Sequence, residues 1–274
     1  MGLVIAHNLM ADTVLRNLGE SFRMMAESIN SLSSGLRVNS ADDDPAGLAV
    51  RELLRAEVAG LGQGIRSAND AVSMLQTFDG ASQVIDEKLI RMKELAEQAS
   101  TGTYSTTQRA LMQSEFEAMR DEITRIANAT DFNGVKGLNA SGTLKIHFGT
   151  GNSSAEDYYY VTRQDMTAAG LSVNALNIAT QPSAQEALES INTAIGVKDT
   201  ARGHFGAMMN RLENTISNLE IQKENIQAAE SQISDVDVAA EMANLTRAQI
   251  LAQAGIAMLA QANTVPSMAL TLLR

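Results

Sequence analysis

Residues 15–36 read LRNLGESFRMMAESINSLSSGL. Leu15, Leu18, Phe22, Met25, Ile29, Leu32 and Leu36 follow one another in steps of three and four without a miss. That period draws a narrow apolar stripe along one face of a helix, the pattern of a coiled-coil seam. With Leu15 at heptad position a and Leu18 at d, Arg16, Glu20, Arg23 and Glu27 fall at b and f. Their alternating signs at i+3 and i+4 support the helix by side-chain pairing. They read either as a solvated face or as a contact with a neighbouring subunit.

Working outward, Asp42-Asp43-Asp44-Pro45 looks like a helix start. Asp44 suits the cap and Pro45 the first turn, where a missing N–H costs nothing. The three aspartates lack the spacing and glycine of a calcium loop, so they are read as a cap and not a metal site. A second helix is predicted from about Pro45 to Ala99. It carries Val58, Leu61, Ile65, Ala68, Val72, Leu75, Ile85, Leu89, Met92, Ala96 and Ala99 in the same alternation. Gly60, Gly62 and Gly64 interrupt it without a preceding strand or nucleotide-loop pattern, and point to close helix packing or local flexibility. A third helix, with Met112, Phe116, Met119, Ile123 and Ile126, is expected to stop near Asn133-Gly134.

From about Gly137 to Ser183 the period changes. Leu144-Lys145-Ile146-His147-Phe148 alternates as a strand does, Tyr158-Tyr159-Tyr160-Val161 does so more weakly, and Gly149, Gly151, Asn152 and Ser153 read as the turn between them. Helix returns near Ala184, with Met209, Leu212, Ile216, Leu219, Ile226 and Ile233 at heptad sites. The stretch after about Val236 is very apolar. The expected fold class is therefore mainly α: a long antiparallel or coiled-coil helical bundle with a small β-hairpin insert. Both ends are striped helices that cannot bury their stripes alone.

Bulk properties exclude several functions. A net charge of −11 gives no basic footprint for nucleic acid and no electrostatic attraction to an anionic membrane surface. The 274 residues include no Cys and no Trp, which removes disulfides, thiolate chemistry and Cys-based metal sites. No cleavable signal peptide or membrane span is visible. His7, His147 and His204 are scattered, HExxH and GxSxG are absent, and pairs such as Glu115 and Glu117 read as helix surface. The expectation is no catalytic residue, no cofactor and no metal. Four N-x-S/T matches, at Asn128, Asn139, Asn152 and Asn244, are short enough to arise by chance.

Leu32 to Val50 reads LSSGLRVNSADDDPAGLAV, Thr130 to Leu138 reads TDFNGVKGL, and Arg247 to Arg274 reads RAQILAQAGIAMLAQANTVPSMALTLLR. These segments closely resemble bacterial flagellins, and the resemblance covers nearly the whole chain. It implies an inner coiled-coil domain formed by residues 1–40 and 236–274, with a helical-bundle domain over 41–235 carrying the β insert at about 137–183. It also implies that the outer variable domains are absent. Leu15, Leu18, Phe22, Met25, Ile29, Leu32, Leu36, Ile250, Ile256 and Leu259 are the expected inter-subunit and coiled-coil residues. Gln249, Gln253 and Gln261, spaced by four and eight, are candidates to face an aqueous central channel, with buried amides as the alternative.

The family resemblance implies a function as well: a structural subunit, not an enzyme, that polymerises into the extracellular flagellar filament used for motility. Export unfolded through the flagellar type III apparatus, and folding of the terminal helices on assembly, come with it. The implied partners are other copies of the chain, flagellar cap and hook-associated proteins, and an export chaperone at the C-terminal segment, for which Leu270, Leu272 and Leu273 suit an apolar groove. A host Toll-like receptor is a further possible partner, through Arg91, Leu95 and Glu115. No nucleic acid or membrane partner is expected. The alternatives are the hook–filament junction protein of the same family, an enzyme-bearing flagellin and a cytoplasmic coiled-coil scaffold. The unbroken first motif and short insert favour the filament subunit.

Overall fold

A computed structural model describes residues 8–154 and 156–272, with side chains described as far as residue 265. Five helices account for most of it: α1 (Leu9–Ser34), α2 (Pro45–Ser100), α3 (Thr106–Ala129), α4 (Gln181–Ser234) and α5 (Val238–Leu272). Two small hairpins lie between α3 and α4. The first is β1 (Asp131–Phe132) with β2 (Val135–Lys136), and the second is β3 (Gly142–His147) with β4 (Tyr158–Arg163). The chain divides into two compact units, residues 1–56 with 225–274, and residues 57–224.

Local sequence explains most of the helix ends. Asn8 caps α1, its Oδ1 accepting from the Ala11 N–H at 3.1 Å. Gly35 ends the helix at φ 74°, a left-handed conformation in which its N–H reaches the Ser31 carbonyl. Asp44 accepts from the Gly47 N–H at 2.9 Å, so the cap expected before Pro45 is present. Asp43 closes the turn ahead of it, accepting from the Asn39 and Ser40 N–H groups. Those bonds, Ser40's foremost, hold its carboxyl below the usual aspartate range. Ser105 and Gln108 form a reciprocal capping box on α3. Buried Arg109 donates to the Ala99 and Thr101 carbonyls, which satisfies the open end of α2.

In the unit of residues 57–224, the alternating residues of α2 and α3 do form the core. Leu75, Ile85, Leu89, Met92, Phe116 and Ile123 are fully buried, joined by Phe78 and Phe205 at 6.4 Å between rings. Lys198 on α4 is also buried, and its ammonium pairs with Asp86 of α2 at 2.5 Å and with Asp199 at 2.6 Å. Arg202 pairs with Asp79 at 2.7 Å, a second ionic tie between the same two helices.

Two expectations need correction. The third helix stops at Ala129, before Asn133-Gly134. That dipeptide is the turn of the β1–β2 hairpin, with φ of 50° and 81°, where Asn-Gly is favoured because both central residues need positive φ. The β insert is also shorter than the change of period suggests. Pairing ends at Arg163, and residues 164–180 are irregular but apolar, burying Met166, Ala168, Leu171, Val173 and Ile178. Those side chains replace strand alternation with a plug into the helical core.

The register is Leu144↔Val161 and Ile146↔Tyr159, which sets the inward residues opposite one another, with Lys145↔Tyr160 and His147↔Tyr158 on the other face. The loop after β3 lies directly on α2. A Cβ on Gly64 would sit 1.8 Å from the Phe148 carbonyl oxygen, and one on Gly60 would sit 2.7 Å from the Thr150 methyl. Close packing is therefore the reason for these two glycines.

Candidate assembly surface

Within the unit of residues 1–56 and 225–274, α1 packs antiparallel on α5. One end is tied by the Asn8 Nδ2, which donates to the Ala262 carbonyl at 2.9 Å. At the other end the Arg37 N–H donates to the Ser234 carbonyl at 2.7 Å, and the Val236 N–H to the Gly35 carbonyl at 3.1 Å. The Arg37 guanidinium closes on the Ile233 carbonyl.

The seam between the helices is built from small side chains. On α1 it runs Ala11, Val14, Leu18, Ser21, Met25, Ser28 and Leu32, all buried or half-buried. On α5 it runs Leu245, Ala248, Ala252, Gly255, Leu259 and Ala262. Gly255 allows close approach, because a Cβ there would meet the Leu18 Cδ1 at 3.1 Å. The buried Ser21 hydroxyl donates to the Asn17 carbonyl at 2.9 Å and so carries no unmet polar group into the seam.

The expected heptad divides into two sets. Its d residues Leu18, Met25 and Leu32 enter the seam, and Leu36 is half-buried just beyond. Its a residues do not: Leu15, Phe22 and Ile29 are 51%, 48% and 49% exposed along one flank of the seam. On α5, Ile250 and Ile256 are exposed and Leu259 is half-buried in the seam. Val238, Met242, Leu251 and Met258 are exposed as well. Apolar residues thus surround α5, as on a helix that is buried on all sides, yet α1 covers only one side of it.

Gln249, Gln253 and Gln261 are exposed. At about 100° per residue they cluster on the side of α5 turned away from the seam. The polar flank of α1 carries Arg23 between Glu20 and Glu27, at 2.6 and 2.5 Å. The Arg23 hydrogen bond, with its charge, holds the Glu20 carboxyl below its usual range.

Arg91, Leu95 and Glu115 lie together in the other unit. The Arg91 guanidinium meets the Glu115 carboxylate at 2.8 Å and Glu94 at 2.8 Å. Glu115 is the foremost cause of a raised Arg91 pKa. Leu95 is buried at the floor of a cleft of about 270 Å³ also lined by Tyr104, Leu111 and Met112. Among the described residues, no cluster of His, Asp and Glu is arranged to hold a metal, and no helix is long and apolar enough to cross a membrane. The Leu270 and Leu272 side chains, Leu273 and His7 lie outside what is described.

The seam residues Ala11, Ser21 and Ser28 do not stand out in an apolar stripe, because alanine and serine do not register in one, and Val14 falls one position before Leu15, where the stripe begins. Their three-four spacing with Leu18, Met25 and Leu32 was the available signal.

A helical region at each end of the chain is what the family models describe. The bacterial flagellin N-terminal helical region matches residues 5–143, and the bacterial flagellin C-terminal helical region matches residues 188–273. The chain belongs to the bacterial flagellin family. It is 41% identical to the flagellin of Halalkalibacterium halodurans over 99% of this chain and 100% of that one. It is 36% identical to the flagellar filament 33 kDa core protein of Treponema phagedenis, again over 99% and 100%. The crystal structure of Bacillus cereus flagellin is similar at 29% identity and a TM-score of 0.50, covering 60% of this chain and 94% of that one. Flagellins are structural subunits, not enzymes, which polymerise with other copies into the flagellar filament.

Proposed function

We propose that this flagellin leaves the cell unfolded through the flagellar type III apparatus and that α1 and α5 complete their folding only as it joins an extracellular filament used for motility. The observation that carries this reading is the exposed row Leu15, Phe22 and Ile29 beside an α5 that leaves Ile250, Leu251, Ile256 and Met258 exposed. The residues fully buried in the seam are alanines and serines, while Leu18, Met25, Leu32, Leu245 and Leu259 are only half-buried, so the seam alone offsets only part of the entropy of ordering two helices. Neighbouring subunits supply the missing contacts. A head-to-tail contact that does not close on itself extends into a helical filament.

Residues 1–40 and 236–274 serve as the inner assembly domain and 41–235 as the surrounding one. Leu15, Leu18, Phe22, Met25, Ile29, Leu32, Leu36, Ile250, Ile256 and Leu259 carry the coiled-coil and inter-subunit contacts. Gln249, Gln253 and Gln261 line the central channel. Cap and hook-associated proteins meet the chain at the filament ends, and an export chaperone takes the C-terminal segment. The Arg91–Leu95–Glu115 cleft is the surface for a Toll-like receptor.

The test is salt-induced polymerisation of the full chain, imaged by electron microscopy beside a chain lacking 1–36 and 240–274. Tubular filaments from the full chain alone support the reading. Discrete dimers or short bundles from the full chain would overturn it in favour of a junction or scaffold role.

A further inference from the structure

The chain has 14 methionines, no cysteine and no tryptophan. Every sulfur is therefore a thioether, and no thiol reacts with a peroxide first. The methionines are unevenly placed. Met74, Met92 and Met166, in the unit of residues 57–224, are buried. Met112, Met119, Met208 and Met209 of that unit are half-buried. Among the described side chains the exposed methionines are Met10, Met242 and Met258, on α1 and α5. Met24 and Met25, half-buried on α1, come free whenever those helices part.

We propose that Met10, Met24, Met25, Met242 and Met258 form an oxidation switch on assembly: a two-electron peroxide converts them to sulfoxides, and the oxidised chain no longer joins the filament. The inference rests on the assembly role proposed for α1 and α5. In the chemical step a lone pair on Sδ attacks one oxygen of hydrogen peroxide. The S–O bond forms as the O–O bond breaks, and the displaced hydroxide takes the remaining proton and leaves as water. Sulfur is oxidised by two electrons and the peroxide is reduced by two.

The product is a polar, hydrogen-bond-accepting side chain where an apolar, adaptable one stood. Buried between subunits it has no donor to meet it, which opposes association. The lesion is reversible by methionine sulfoxide reductases, so it delays assembly without destroying the chain.

Full-length chain is treated with limiting hydrogen peroxide, mapped by peptide mass spectrometry for gains of about 16 Da per methionine, and then tested for salt-induced polymerisation. The expected result is sulfoxide at the five sites and a rise of about tenfold or more in the concentration needed to polymerise. Methionine sulfoxide reductase restores the original value. The chain carrying Met10→Leu, Met24→Leu, Met25→Leu, Met242→Leu and Met258→Leu, a set of nearly volume-conserving changes, is compared with its own untreated threshold, whatever that is, and treatment does not raise it. A second measurement needs no variant: in preformed wild-type filaments the same five sites are protected.

Undiminished polymerisation of chain shown to be oxidised at these sites overturns the switch, as does equal oxidation of monomer and filament. So does a five-leucine chain that loses assembly on treatment as fully as the wild type. If untreated wild-type chain makes no filament, the assembly role fails first and the switch with it.

Discussion

Asp157 holds the loop between β3 and β4 through three acceptors. Its carboxylate accepts from the Gly151 and Ser153 N–H groups at 3.1 and 2.6 Å, and its carbonyl accepts from Phe148 and Gly149. The Ser153 bond first, then the Gly151 bond, holds the carboxyl below the ordinary aspartate value of 3.8. A depressed folded pKa contributes loop stability that is present above the unfolded value and lost as pH falls through the folded one. The Gly151 and Ser153 amide resonances should thus titrate together with a midpoint below 3.8, and Asp157→Ala should abolish that step in an NMR titration. Two glycines of α2 give a second test at this scale. Gly64→Ala drives a methyl into the Phe148 carbonyl and should cost about 2–3 kcal/mol. Gly80→Ala has nothing within 4 Å and should stabilise by up to about 1 kcal/mol. Urea denaturation of the two variants should shift in opposite directions.

The exposed a row of α1 makes a prediction about an element. Leu15→Ser, Phe22→Ser and Ile29→Ser together should leave the circular dichroism and urea midpoint of the free chain nearly unchanged, because on the assembly reading α1 does not complete its folding before the chain joins a filament. Filament formation, followed by light scattering, should be lost. This row is also where the sequence was most and least legible. The period of Leu15 to Leu36 gave the helix and its apolar side directly. It did not say which half of that side meets α5, because the choice depends on the small residues of the facing helix, Ala248, Ala252 and Gly255. Likewise Leu144 to Phe148 announced a strand, whereas residues 164–180 did not announce an irregular plug. Buried loops have no period to detect, and their shape is set by tertiary partners such as the Leu138 carbonyl, which accepts from the Met166 N–H. The pairing of Arg91 with Glu115 was equally hidden, since the two lie on different helices 24 residues apart.

For the whole molecule, charge decides how readily copies approach one another. Each chain carries −11, so assembly brings like charges together. Screening shortens their reach from about 30 Å at 0.01 M salt to about 8 Å at 0.15 M. The concentration needed to polymerise should therefore fall over that interval, measured by sedimentation. An insensitive threshold would mean that the acidic surfaces stay apart in the filament.

The tie between Asn8 and Ala262 joins residues 254 positions apart. On the assembly reading, that separation acts as a proofreading step on synthesis. A chain cut short anywhere before α5 has α1 with no partner, and no local repair inside the remaining sequence can replace it. Such fragments are left out of the polymer without any dedicated inspector, since α5, which completes the seam, is translated long after α1.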